Sequence, residues 1–240
     1  SAEAAKGGLA VSLFERLVGT YGQDVHRMLL EQYRMNDALM SLISESFYGG
    51  RLRAHPEVAS RTLAGVLEPE ADVDAPPFLF LDTAGKGFEE TQEARSESYD
   101  NKGEAALLLA RVKRLLSNGL APTSLAVITP YRGQASVLQA ALEGTGVEVD
   151  SVDAFQGREA DAVLLSCVRS NPEANVGFLA DLRRMNVALS RARRHLYVVG
   201  DSATLGSHPF YAALVARAQA AGGYRSAWEW PEGNSDTPAP

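Results

Sequence analysis

The chain has 240 residues, 45% apolar and 22% charged, the profile of one large domain with a true core. No apolar run approaches the ~20 residues of a membrane span, no apolar stretch after Ser1–Lys6 marks a signal peptide, and the single cysteine, Cys167, excludes an internal disulfide. That cysteine usage points to a reducing compartment, cytoplasmic or nuclear. The net charge of −7 argues against a uniformly basic nucleic-acid binder, but residues 68–104 hold eleven acids against three bases. One acidic segment therefore sets the total, and a local basic surface elsewhere remains open.

In chain order, Leu9–Gly19 reads as a short amphipathic helix, with Leu13, Phe14 and Leu17 at helical spacing. A strand-like stretch follows at His26–Leu30. Asn36 or Asp37 caps a helix through Phe47 that Gly49-Gly50 stops. After an irregular stretch at 54–76, Pro76-Pro77 opens a buried strand, Phe78–Leu81. Residues 84–100 form a polar, acidic loop long enough to be functional. Asn101 with Glu104 makes an Asn version of the capping box for a helix to about Ser117.

From there the pattern is regular. Strands at Leu125–Thr129, Val147–Val152, Ala162–Val168 and Leu196–Val199 alternate with helices at Gln134–Leu142, Asp181–Ala192 and Phe210–Ala220. Continuous apolar strands alternating with helices predict an α/β fold, a parallel sheet with helices on both faces. The tail from Pro231 reads as disordered.

Ligands in open parallel sheets gather at the carboxyl ends of strands. Three polar clusters follow strands here: Thr129–Gln134, Asp153–Glu159 and Gly200-Asp201. Each alone is equally well explained as loop punctuation and helix capping. The densest charge signal is Arg183, Arg184, Arg191, Arg193, Arg194 and His195. In the helix expected there, Leu182, Met185 and Leu189 form an apolar stripe, and Arg184 and Arg191 share the opposite face. Arginine suits phosphate because its planar fork donates bidentate, charge-assisted hydrogen bonds. A second arginine stands in Gln32-Tyr33-Arg34-Met35, where the bland alternative is a surface ion pair.

Other chemistries find little support. The four histidines show no metal spacing, no G-x-S-x-G elbow occurs, and Gly85-Lys86-Gly87 lacks the spacing of a P-loop. Cys167 reads as a small buried residue, and Trp228 and Trp230 as packing residues.

Four segments in order then carry a family resemblance: Gln32-Tyr33-Arg34-Met35, Thr129-Pro130-Tyr131-Arg132-Gly133-Gln134, Ser151–Glu159 (Ser-Val-Asp-Ala-Phe-Gln-Gly-Arg-Glu) and Asn186–Arg193 (Asn-Val-Ala-Leu-Ser-Arg-Ala-Arg). They resemble the later motifs of superfamily 1 helicases of the 5′-to-3′ type, the group of the nonsense-mediated-decay and immunoglobulin-mu-binding-protein helicases. The resemblance runs from about Leu9 to Trp230. It implies a RecA-like domain, a P-loop NTPase-like fold lacking its own P-loop, that works against a first RecA-like domain holding most of ATP and Mg²⁺. Ser12–Leu17 is similar to the helix after the first domain's last motif. The implied organisation is a linker and helix at 1–20, the second motor domain at 21–230 and a tail at 231–240.

Position by position, the resemblance implies that Arg34 and Arg191 reach the γ-phosphate as catalytic arginines. It places Tyr33 near the base, Gln32 and Gly157 among the nucleotide-binding residues and Glu159 near the ribose hydroxyls. Arg193 falls on the nucleotide or the nucleic-acid side. Thr129, Pro130, Tyr131, Ser151, Asp153 and Gln156 fall on the edge that faces single-stranded nucleic acid, DNA or RNA, or couples it to ATP. Ser190 stands where relatives often carry Thr, and the hydroxyl is kept. On this reading the isolated chain hydrolyses no ATP. Two alternatives stand beside it: a module that binds nucleic acid or protein passively, and an ATP-driven protein remodeller on the same scaffold.

Overall fold

The computed structural model describes residues 13–22, 26–71, 73–92 and 98–229. Residues 1–31 and 32–240 form two compact units. In the first, Leu13–Tyr21 is helical (α1). The predicted start at Leu9 lies outside the described residues, as do Trp230 and the 231–240 tail. His26–Leu30, expected as a strand, carries no regular structure.

The second unit is built on six strands: β1 (Phe78–Asp82), β2 (Leu125–Thr129), β3 (Glu148–Ser151), β4 (Ala160–Ser166), β5 (Ala192–Gly200) and β6 (Tyr224–Ser226), in spatial order β6-β1-β5-β4-β2-β3. Every pairing is parallel, with Leu79 opposite Tyr197, Leu164 opposite Tyr197 and Val127 opposite Leu164. Five helices of eight or more residues accompany it: α2 (Asp37–Phe47), α3 (Lys102–Ser117), α4 (Arg132–Ala141), α5 (Leu182–Leu189) and α6 (Pro209–Ala220).

The unbroken apolar strands acquire two faces by simple alternation. Phe78, Phe80, Ala126, Ile128, Val163, Leu165, Leu196 and Val198 pack with α2, α5 and α6. Leu79, Leu81, Leu125, Val127, Ala162, Leu164, Tyr197 and Val199 pack with α3 and α4. Each buried leucine or valine contributes about 1.5–3 kcal/mol relative to exposure, so both faces must be covered. The expected α/β fold with helices on both faces is the fold observed. It is RecA-like.

Three features matter for the site, the first two departures from the sequence reading and the third the Gly-containing loop expected at 153–158. First, β6 was invisible in the sequence, because Tyr-Arg-Ser is a short polar edge strand. It fits beside β1 because Gly223 lets the backbones approach, a Cβ there falling 2.0 Å from the Phe78 oxygen. Second, the helix expected over Asp181–Ala192 stops at Leu189, and the strand expected from Leu196 begins at Ala192. Backbone pairing decides this: the Ala160 amide donates to the Arg191 oxygen and the Asn36 amide to the Arg193 oxygen. Third, the link from β3 to β4 contains no helix. Because both strands are parallel to β2, residues 152–159 must travel from the carboxyl edge of the sheet to its amino edge. Phe155, 1% exposed, anchors that crossover in the core.

Candidate nucleotide and nucleic-acid site

The residues singled out from sequence separate onto the two edges of the sheet. At the amino edge, Arg191 precedes β5, Arg193 lies within its first residues, and Glu159 precedes β4. Arg34 arrives on the turn before α2. That turn is held by Gln32, whose Oε1 accepts from the amides of Arg34 (2.8 Å) and Met35 (2.7 Å), while its Nε2 donates to the Met35 oxygen (2.8 Å). The Gln32 carboxamide is thus committed to shaping the turn. Asn36 caps α2, accepting from the Leu39 amide (3.0 Å), and its Nδ2 donates to the Arg61 and Arg194 oxygens (2.9 Å each). The turn is therefore pinned to β5.

Glu159 bridges two of the arginines. Arg34 Nε donates to its Oε2, and Arg193 donates to Oε1 through Nε (3.0 Å) and Nη2 (2.8 Å). Partial burial works to raise the Glu159 pKa, but the hydrogen bonds from Arg34 and Arg193 outweigh it and hold the carboxyl below its usual value. Arg191 is different. Its guanidinium donates to the Val187 oxygen (2.8 Å), the Arg158 oxygen (3.4 Å) and Ser190 Oγ (3.1 Å), and it makes no ion pair among the described residues. Burial and then the charge of Arg34 lower its pKa. A guanidinium held by neutral oxygens beside a like charge is a seat for an anion.

Tyr33 is 58% exposed and stacks on His55, with ring centroids 4.2 Å apart and planes 22° apart. Gly157 is exposed on the crossover, and a Cβ there would meet nothing within 4 Å.

At the carboxyl edge, a cavity of about 780 Å³ is lined by Pro130, Tyr131, Arg132, Ser151, Asp153 and Arg184 among others. A second, of about 510 Å³, is lined by Gln92, Tyr99, Arg169, Gly177 and Phe178. Phe178 borders both. It is 57% exposed, 5.8 Å from the Tyr131 ring, and has the Arg184 guanidinium 6.0 Å from its centre. Neither Phe178 nor Arg132 was singled out as a site residue from sequence. The available signal was Arg132 inside Thr-Pro-Tyr-Arg-Gly-Gln and an apolar Phe beside glycine in a polar stretch.

Two of the expected nucleic-acid contacts turn inward. Thr129 is fully buried and Tyr131 is 2% exposed. The Tyr131 hydroxyl accepts from Arg169 Nη1 (3.3 Å) and the Phe178 amide (3.2 Å). These two side chains shape the groove from beneath. Pro130, Ser151 and Asp153 line it, and Asp153 is paired with Arg184. Gln156 is exposed on the crossover outside the groove lining.

The basic cluster read from sequence disperses. Because α5 ends at Leu189, Arg184 and Arg191 share no helical face: Arg184 meets Asp153 at the carboxyl edge, and Arg191 lies at the amino edge. Arg183 pairs locally with Asp181 (3.2 Å), and Arg194 with Asp161 (2.8 Å). His195 is fully buried with its pKa pushed down to about 3, by burial and then by Arg111. It is a neutral core residue and adds no charge. Cys167 is buried and its thiol pKa is raised well above the usual value by burial, as expected of a packing residue. Trp228 is 56% exposed and donates to the Ala84 oxygen (3.2 Å), with Lys86 Nζ 4.6 Å from its ring. Among the described residues no three His, Cys, Asp or Glu side chains gather to hold a metal, and no helix is long and apolar enough to cross a membrane.

An AAA domain family (AAA_12) matches residues 9–203. The chain belongs to that family. It is 43% identical over 235 residues to the DNA-binding protein SMUBP-2 of Rattus norvegicus, covering 96% of this chain and 24% of that protein. It is 39% identical over 222 residues to a regulator of nonsense transcripts 1 homolog of Arabidopsis thaliana, covering 89% and 17%. A third relative, the DNA polymerase alpha-associated DNA helicase A of Schizosaccharomyces pombe, is 39% identical over 203 residues, covering 81% and 31%. The resemblance to superfamily 1 helicases holds. The chain spans between about a sixth and a third of the length of these relatives.

Proposed function

We propose that this domain is one half of an ATP-driven nucleic-acid motor, presenting its amino edge to the phosphates of a nucleotide held on a P-loop-bearing partner domain and its carboxyl edge to a single strand. The observation that carries the reading is Arg191, a part-buried guanidinium with no carboxylate partner among the described residues, next to Arg34. In phosphoryl transfer, charge spreads over the equatorial oxygens, and a fixed guanidinium stabilises it by roughly 10³–10⁵ in rate. Arg34 and Arg191 take this role. Tyr33, backed by His55, takes the base, and Gly157, Glu159 and Arg193 line the approach. The residues fit the phosphate end of ATP. Mg²⁺ and the cradle for the β- and γ-phosphates fall to the partner domain.

At the other edge, Pro130, Ser151, Asp153, Arg132 and Phe178 face the strand, with Thr129 and Tyr131 beneath them. Base stacking on Phe178 gives a sequence-tolerant grip. The 152–159 crossover joins the two edges. Its far end is tied to Arg191 through the Arg158 oxygen, and its near end to β2 through the Val152 amide and the Thr129 oxygen (3.1 Å). A shift of the strand is thereby passed to the arginines.

The test is ATP hydrolysis by this domain joined to a P-loop-bearing partner domain, with and without single-stranded oligonucleotide, for wild type and Arg191→Ala. Strand-stimulated turnover that collapses in the variant, with nucleotide affinity kept, supports the motor. Unstimulated turnover, or an indifferent variant, favours a passive binding module.

A further inference from the structure

The capping box expected at Asn101 and Glu104 forms only in part, and what replaces it is more informative. Asn101 Oδ1 does accept from the Glu104 amide (3.0 Å), but the Glu104 side chain does not return to the cap. It is fully buried and turns toward the carboxyl end of β4, where its Oε2 accepts from Ser166 Oγ (2.6 Å) and the Val168 amide (2.8 Å). Its Oε1 has no hydrogen-bond partner. The cap's backbone amide is taken instead by Gln134 Oε1 (2.9 Å), and Gln134 Nε2 donates to the Asn101 oxygen (3.1 Å) and Ser166 Oγ (3.0 Å). Asn101 Nδ2 completes the set by donating to the Phe88 (2.7 Å) and Val168 (3.1 Å) oxygens. Asn101, Glu104, Gln134 and Ser166 are all fully buried.

The network adjoins three segments of the groove wall along the chain. Asn101 follows Ser98 and Asp100, Gln134 follows Tyr131–Gly133, and Val168 precedes Arg169. Val168 has φ of +71°, a left-handed conformation that is sterically costly for a β-branched residue. Such a conformation persists only when its surroundings impose it, and here the Val168 amide donates to Glu104, its oxygen accepts from Asn101 Nδ2, and the Arg169 amide donates back to the Cys167 oxygen (2.8 Å). Arg169 is thereby turned toward Glu90 (2.8 Å), the Tyr131 hydroxyl and the face of Tyr99 (4.5 Å).

We infer that Glu104 is a positioning residue for the nucleic-acid groove, holding the Val168–Arg169 turn directly and the Tyr131–Gly133 turn through Ser166 and Gln134. The inference rests on the carboxyl-edge reading given above. The protonation state of Glu104 is part of the device. Burial pushes its carboxyl up to about 8, the bonds from Ser166 and Val168 act in the opposite direction, and the Asp201 carboxylate adds to the rise. The other titratable group facing it is the Cys167 thiol, from the end of β4. α4 contributes neutral Gln134, and no basic side chain bonds to Glu104. Near neutrality the carboxyl therefore holds its proton. Ionisation places a charge in the core that nothing neutralises.

The sign follows from a folded-state pKa raised above the unfolded one. Stability is full below about pH 4.5 and falls as pH rises toward about 8, where the folded carboxyl ionises.

The test compares wild type, Glu104→Gln and Glu104→Ala by oligonucleotide anisotropy and amide hydrogen exchange between pH 6 and 9.5, with exchange corrected for its intrinsic pH dependence. Wild type is expected to lose affinity as pH passes about 8. Glu104→Gln, an uncharged isostere, keeps its affinity across the range. Glu104→Ala binds about tenfold more weakly than Glu104→Gln at every pH, the equivalent of one unmade buried hydrogen bond. Exchange at 98–101, 130–134 and 167–170 follows the same order. If Glu104→Ala does not fold, the wild-type and Gln profiles decide alone. Identical pH profiles and exchange in wild type and Glu104→Gln overturn the inference. If wild type binds no oligonucleotide, the groove reading fails, and exchange in the three segments still decides whether Glu104 positions them.

Discussion

At the amino edge of the sheet, Arg191 is held by three neutral oxygens and has Arg34 as its neighbour, whereas at the carboxyl edge Arg169 and Arg184 each meet a carboxylate. The first arrangement leaves positive charge uncompensated and suits a small, highly charged ligand that arrives with its own negative charge. The second spends its charges on internal pairs and presents hydroxyls, a proline and an exposed aromatic ring, which suits a strand gripped through its bases as well as its phosphates. One sheet thus carries two surfaces of different chemistry, and a single crossover at 152–159 runs between them.

If that division is right, substitutions at the two edges separate cleanly. The largest expected effect is at the amino edge. Arg34→Ala, assayed with a P-loop-bearing partner domain, lowers turnover by about 10³ and leaves oligonucleotide affinity close to wild type. A matched loss of affinity would merge the two edges. Next is Gly177→Ala. Gly177 has φ of +53°, and a Cβ there would fall 2.0 Å from Arg169 Nη1 and 2.9 Å from the Tyr131 hydroxyl. Destabilisation of about 1–3 kcal/mol is expected, read as a fall in melting temperature, together with weakened strand binding and unchanged nucleotide binding.

Phe178→Ala then costs about 1–3 kcal/mol of oligonucleotide affinity, the worth of one stacked base. Its salt dependence should match wild type, because stacking releases no counterions. Arg132→Ala gives the smallest effect and the opposite signature, a modest loss with the log–log salt slope reduced by about 0.7. Equal salt slopes for the two variants would mean that the groove distinguishes neither bases from phosphates nor ring from charge.

Much of the fold was legible because its signal is local. The runs Phe78–Leu81, Leu125–Ile128 and Ala162–Leu165 are apolar at consecutive positions, as a strand covered on both faces requires. Asn36 and Asn101 announced α2 and α3 through their own side-chain bonds to the first turn. The four motifs in order, quoted by residue, carried the family and the choice of Arg34 and Arg191.

What the tertiary structure decided is where each polar side chain ends. The periodicity of Leu182, Met185 and Leu189 continues smoothly to Ala192, and nothing local says that Arg191 must leave the helix. The strand partners Ala160 and Asn36 say so, through bonds from residues 31 and 157 positions away. Tyr131 reads as a surface group because it follows a strand, yet the loop at Gly177-Phe178 covers it, its hydroxyl accepting from the Phe178 amide. Glu104 carried the sequence pattern of a helix cap, and the end of β4 claimed its carboxyl instead. In each case a hydrogen bond to a distant backbone outweighed the local preference, because a buried donor or acceptor left unmade costs more than a helical turn or a cap provides.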